Sequence, residues 1–305
     1  MNLSKLSHHI PLPLQIITLG FLITVCYLLG VTIIAGTFRS MDIDIQSIIQ
    51  SGDINVMMEH RAAMRMLQGG ANLFMFLVPG IIFTHLLYKR NWIGSVFGDK
   101  FGKPLLYPIA FLITLASIPL VAMSYHLNKS IPLPSWMLEM EESTNLALSS
   151  LLQMDSPLEL MIVLLVTSLI PAIGEEWIFR GILQPRFQIL LKNKHLAIWV
   201  TAILFSTIHG QFQGFIPRML LGALLGYVMM WSGSLWLAIF VHFINNASQV
   251  IAYYFMQMGE GDIDITNTSK INWTQGILSL IVVTGMIYLF YFVANKHKNK
   301  EKHEG

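Results

Sequence analysis

The stretch LIPAIGEEWIFRGIL, Leu169–Leu183, sets Glu175, Glu176 and Arg180 in otherwise unbroken apolar sequence. Whether that sequence is a protein core or a membrane span is decided by the rest of the chain. Of 305 residues 54% are hydrophobic and only 12% charged, with a mean hydropathy of +0.60. Soluble domains run at about 45–50% apolar and about 25% charged, so the composition implies an integral membrane protein. A net charge of +2 with scattered basic residues carries no nucleic-acid signal. The single cysteine, Cys26, lies in an apolar run, which excludes an intramolecular disulfide and a cysteine-based metal site. The apolar run from Pro11 to about Thr37 exceeds the roughly 7–15 residues of a signal-peptide core and reads as a retained first span.

About eight apolar segments approach the length of roughly 20 residues that crosses a bilayer: 12–37, 71–88, 104–127, 158–174, 195–209, 214–231, 234–256 and 274–294. The charges between them test the partition, because cytoplasmic loops are enriched in Lys and Arg. Lys5 precedes the first span. Lys89, Arg90, Lys100 and Lys103 follow the second, Arg180, Arg186, Lys192 and Lys194 the fourth, and Lys296, Lys298, Lys300 and Lys302 the eighth. The alternate loops carry Asp42, Asp44, Asp53 and Glu59 with Arg61 and Arg65, then Glu139, Glu141, Glu142 and Asp155, then Glu260, Asp262 and Asp264. This alternation predicts an all-α, polytopic transmembrane bundle of about eight spans with both termini cytoplasmic. No repeat and no hydrophilic segment long enough for a soluble domain interrupts it. Residues 1–157 form an N-terminal region of about three spans with an acidic loop. Residues 158–256 gather the polar chemistry, and 257–305 hold the last span and a basic tail.

Pro171 and Gly174 both interrupt helices, so a new helix is expected near Glu175, with the acidic pair in its first turn, where the helix dipole favours carboxylates by about 0.3–1 kcal/mol. Glu175 then sits at the cytoplasmic end of its span. Glu176 and Arg180, four apart, share a face and can pair. Glu175 points about one hundred degrees away and is left with no obvious local partner. FSTIHG ends the fifth span with His209, and HFINN places His242 and Asn246 one turn apart on the seventh. Ionisable side chains at membrane depth face a cavity or one another, so Glu175, His209, His242 and Asn246 are candidates for one pocket. Such a group suits hydrolysis: a glutamate beside an imidazole can take a proton from water and pass it to a leaving amine, and an amide or neutral imidazole can donate to the developing oxyanion. The same Glu175, His209 and His242 are also a two-His, one-carboxylate zinc set. A serine nucleophile, an HExxH metal motif and an intramembrane aspartate pair find no support: Ser232 and Ser234 sit in a turn, and the other two patterns are missing.

EEWIFR fits EExxxR, FSTIH fits FxxxH and HFINN fits HxxxN, in that order on separate spans. Over residues 158–256 the chain thereby resembles the CPBP group, the CAAX-prenyl-endopeptidase and bacteriocin-processing or Abi proteins. The resemblance implies an intramembrane endopeptidase in which Glu175 activates water, His209 shares in that, His242 and Asn246 line the oxyanion side, and Glu176 with Arg180 supports them. It leaves zinc and a metal-independent glutamate mechanism both open. It implies a membrane-anchored protein or peptide as substrate and a cell membrane, plasma or inner, as location. The rival class is non-catalytic: a membrane scaffold, an immunity protein or a proton-coupled transporter using the same pocket. No inverted repeat of broken helices accompanies it.

Overall fold

The computed structural model describes residues 10–88, 92–97, 101–259 and 273–296. Lys5, Lys89, Arg90, Lys100, Glu260, Asp262, Asp264, Lys298, Lys300 and Lys302 lie outside them. Among the described residues every regular element is helical. Ten helices build the bundle: α1 Leu12–Arg39, α2 Arg61–Tyr88, α3 Leu106–Ala116, α4 Ile118–Lys129, α5 Ser135–Leu152, α6 Pro157–Leu191, α7 Lys194–Thr207, α8 Phe215–Ser232, α9 Leu235–Gln257 and α10 Trp273–Asn295, with short helices at Ile45–Gln50, Ile54–Glu59 and Trp92–Phe97. In lipid every backbone polar group must be satisfied internally, which a helix does for itself. Residues such as Ile17, Phe21, Leu28 and Ile33 of α1 are correspondingly exposed, as a lipid-facing helix requires.

The protein is a multi-pass helical membrane protein, with fewer full-length spans among the described residues than the eight expected. Six helices, α1, α2, α6, α8, α9 and α10, are long and apolar enough to cross, and α3 with α4 makes a seventh bent by 43°. The bend falls at Ser117–Pro119, where proline has no N–H to give the preceding turn. The expected span 195–209 is α7, a helix of 14 residues, whose rise of about 20 Å is short of a hydrocarbon core of about 30 Å.

The largest departure concerns the opening stretch. The helix does not restart near Glu175; α6 runs 35 residues from Pro157 to Leu191. Ser156 caps its start, accepting from the Glu159 N–H at 3.3 Å with Pro157 in the first turn. Two π-helical segments, Leu164–Leu169 and Trp177–Leu183, interrupt its α-helical winding. Pro171 falls just after the first, where a widened turn accommodates a residue without a donor. Gly174 permits close approach rather than a break: a Cβ there would lie 2.9 Å from the Cβ of Phe76 on α2. Glu175 and Glu176 are therefore in the interior of a long helix, not in a first turn or at a span's end.

Loop contacts sort the connections between two ends of the bundle. At one end Lys103 Nζ donates to the carbonyls of Val293 and Ala294 at 3.0 and 2.8 Å, and Arg186 Nε donates to Gln15 Oε1 at 3.0 Å. At the other, Arg61 meets Asp155 at 2.6 Å and Glu159 at 3.1 Å, and the Met154 N–H donates to Gln257 Oε1 at 2.9 Å. Among the described residues Lys103 and Arg186 thus lie at one end, and Asp155 and Glu159, with Arg61, at the other. The acidic loop contains the 18-residue helix α5, which sequence reading left unstructured.

Candidate active site

The site lies where α6, α7 and α9 meet. Phe76, Trp177, Ile178, Phe205, Leu235 and Ile239 belong to the apolar cluster around it. The short α7 explains how His209 reaches Glu175. Lys192 in the left-handed conformation and Asn193, whose side chain caps α7 through the His195 and Leu196 N–H groups, turn the chain straight back from α6. Glu175 is about 24 Å of helical rise back from Leu191, and Thr207 about 20 Å onward from Lys194. The two arrive at similar depth. Gly210, at φ +64°, then turns the backbone away with His209 on its shoulder.

Arg180 Nη1 donates to Glu176 Oε1 at 2.7 Å, both side chains having no exposed surface. Arg180 Nη2 donates to the Gly222 carbonyl at 2.7 Å, and the guanidinium lies 4.7 Å from the centre of the Phe205 ring. Gly222 makes this reach possible, since a Cβ there would press on Ala202 at 3.1–3.2 Å. Pairing of Glu176 with Arg180 is the outcome the four-residue spacing predicts.

Glu176 has a second partner that the sequence did not suggest. Its Oε1 lies 2.8 Å from His242 Nδ1. An oxygen already accepting from Arg180 accepts here too, so the network assigns the His242 proton to Nδ1 and leaves Nε2 a lone pair. That Nε2 is 3.9 Å from Glu175 Oε2. His209 is arranged in the same way: Nδ1 lies 2.7 Å from the Phe205 carbonyl, which can only accept, and Nε2 lies 3.7 Å from the same Glu175 oxygen. One imidazole thus touches both glutamates, and the division of labour read from their angular separation is bridged by His242.

Glu175 is 5% exposed, and its Oε2 has no hydrogen-bond partner among the described residues. Asn246 sits one turn beyond His242 and donates from Nδ2 to the Thr167 carbonyl at 3.4 Å, while its Oδ1 accepts from Asn245 at 3.1 Å. It thus ties α9 to the π-helical segment Leu164–Leu169 of α6 and makes no hydrogen bond to Glu175 or to either histidine among the described residues; one amide N–H remains beyond the Thr167 bond. Ser232 and Ser234 are elsewhere, at the turn beside Gly102. Glu175, His209 and His242, the candidate zinc set, face one another with Nε2 to Oε2 distances of 3.7 and 3.9 Å, and their donor atoms are of the types zinc takes.

Residues 157–248 match the family model for type II CAAX prenyl endopeptidase Rce1-like proteins. Over that segment, which is less than half of the chain, the protein is similar to Rce1-like endopeptidases. It carries EExxxR, FxxxH and HxxxN, which agrees with the CPBP resemblance, and the family is one of membrane proteases. No curated protein and no solved structure matches the chain.

Proposed function

We propose that the protein is an intramembrane endopeptidase that hydrolyses a peptide bond of a membrane-tethered protein or peptide, in CAAX-type or bacteriocin-type processing, with Glu175 as the base. The observation that carries this reading is the convergence of His209 Nε2 and His242 Nε2 on one Glu175 oxygen, at 3.7 and 3.9 Å. Both distances exceed a direct hydrogen bond and suit groups that share a water. The water oxygen attacks the scissile carbonyl carbon while its proton passes to Glu175, aided by His209. The C–N bond of the tetrahedral intermediate then breaks as that proton moves to the nitrogen, giving a carboxylic acid and an amine. Asn246, through its free amide N–H, donates to the developing oxyanion; His242, which the family resemblance puts on the same side, has its proton directed to Glu176 and offers Nε2 as an acceptor to the shared water. Glu176 and Arg180 hold His242 in one tautomer, as an orienting carboxylate does in hydrolytic triads. Were zinc bound, Glu175, His209 and His242 would hold it, and it would supply acidification of the same water.

The segregation of Lys103 and Arg186 from Asp155 and Glu159 supports placing the basic end, with both termini, in the cytoplasm, and the protein in a cell membrane. Cleavage of a membrane-tethered peptide by purified protein in lipid vesicles tests the reading. Glu175→Gln is expected to abolish product while inserting and melting like the wild type. Undiminished cleavage by that variant overturns the base assignment, and proton-coupled flux without cleavage would establish the carrier instead.

A further inference from the structure

The turn after His209 belongs to no helix, yet it must hold an imidazole against Glu175. Residues of α4 and α5, outside the matched segment, grip it. Glu141 Oε2 accepts from the backbone N–H of Phe212 at 2.8 Å and of Gln213 at 3.3 Å. Asn128 brackets the same turn, donating from Nδ2 to the Phe212 carbonyl at 2.7 Å and accepting at Oδ1 from the Ile216 N–H at 3.0 Å. The Tyr125 hydroxyl lies 3.2 Å from Gln213 Oε1, and Trp136 stands edge-on to Phe212 at 5.7 Å.

Burial separates Glu141 from its neighbours. Glu139 and Glu142 on α5 are exposed as a solvated face requires, whereas Glu141 is 5% exposed and Asn128 3%. Removing a carboxylate from water is costly unless it is hydrogen-bonded, and the bonds that compensate here both go to the His209 turn. Deleting either residue would leave backbone donors or acceptors of that turn unpaired.

We propose that Glu141 and Asn128 are positioning residues for the reaction, fixing the 209–214 turn so that His209 Nε2 stays on Glu175. The proposal rests on the hydrolytic reading above and assigns the N-terminal region a share in the site. Misplacement by about 1 Å at a reacting centre can cost about a hundredfold in rate. Glu141→Ala is therefore expected to lower kcat about ten- to hundredfold with KM changed less than about twofold. Glu141→Gln, which keeps an acceptor oxygen for both N–H groups, restores kcat to within about threefold, and the exposed control Glu142→Ala is unaffected. Acylation of His209 by diethylpyrocarbonate, read by mass spectrometry, is expected to quicken in Glu141→Ala and not in Glu141→Gln. Where Glu141→Ala fails to accumulate, Asn128→Asp, which keeps the acceptor for Ile216 and loses the donor to Phe212, carries the same two readouts. Wild-type kcat in Glu141→Ala, or equal loss in Ala and Gln variants, overturns the proposal. A Glu175→Gln variant measured alongside distinguishes the failures: if it is inactive while Glu141→Ala is fully active, only the positioning role falls, and if it is active, the hydrolytic reading falls.

Discussion

Replacing Arg180 by methionine tests how the buried polar centre is held. The guanidinium has no exposed surface and meets Glu176, the Gly222 carbonyl and the Phe205 face. Methionine fills much of the same volume, so cavity formation is a minor effect. What remains is a carboxylate with no exposed surface whose only other donor among the described residues is His242. Breaking a buried pair by removing one partner costs about 3–5 kcal/mol. The lost Gly222 bond adds about 1 kcal/mol or less, because that carbonyl lies within a helix. Glu176 and Arg180 are one turn apart on one helix and can stay paired in a denatured state that keeps its helices, which moves the expectation to the lower end, about 3 kcal/mol. The assay is reversible unfolding in mixed micelles followed by tryptophan fluorescence, with Trp177 adjacent to the pair. Glu176→Gln combined with Arg180→Met is expected to recover at least about 2 kcal/mol of the loss, since the lone buried charge is then gone. A destabilisation under about 1 kcal/mol, with no recovery in the double variant, refutes the idea that Arg180 compensates Glu176.

Gly174→Ala places a Cβ 2.9 Å from that of Phe76; with helix against helix unable to yield cheaply, a loss of about 1–3 kcal/mol in the same unfolding assay is expected, together with reduced cleavage as Glu175 shifts. Activity after exhaustive chelation reads the metal question: the Glu175 scheme predicts retained cleavage, whereas near-stoichiometric zinc in purified protein, lost in His209→Ala along with activity, would require a metal centre.

Local spacing made part of the site legible in the sequence. Glu176 with Arg180, and His242 with Asn246, are four apart on helices, so their shared faces follow from the period alone. Charge alternation separated the two ends of the bundle even where no span length could. Other features depend on neighbours that a linear reading does not see. Pro171 and Gly174 signal a break in isolation, but a π-helical turn absorbs the first and Phe76 packing accounts for the second. Nothing local in Glu176 announces His242 as its second partner. The length of α7 was overestimated because its apolar run continues through Ile208 into the turn. The clamp by Asn128 and Glu141 joins residues 84 and 71 positions apart from Phe212; the single signal available was an acidic triplet on an otherwise amphipathic stretch, which reads first as a solvated loop.

The account depends most on three elements meeting around Glu175. Cys26 is the sole native cysteine, so a Cys26→Ser background allows paired cysteines at 209 and 242 to be crosslinked by a short bifunctional thiosulfonate in the membrane. Their Nε2 atoms lie 3.7 and 3.9 Å from one oxygen, and rapid, near-complete intramolecular crosslinking is the expected result, with pairs moved to the lipid-facing 203 and 251 unreactive. No crosslink between 209 and 242 in inserted protein, or equal yield from the lipid-facing pair, would contradict the convergence and with it the shared water.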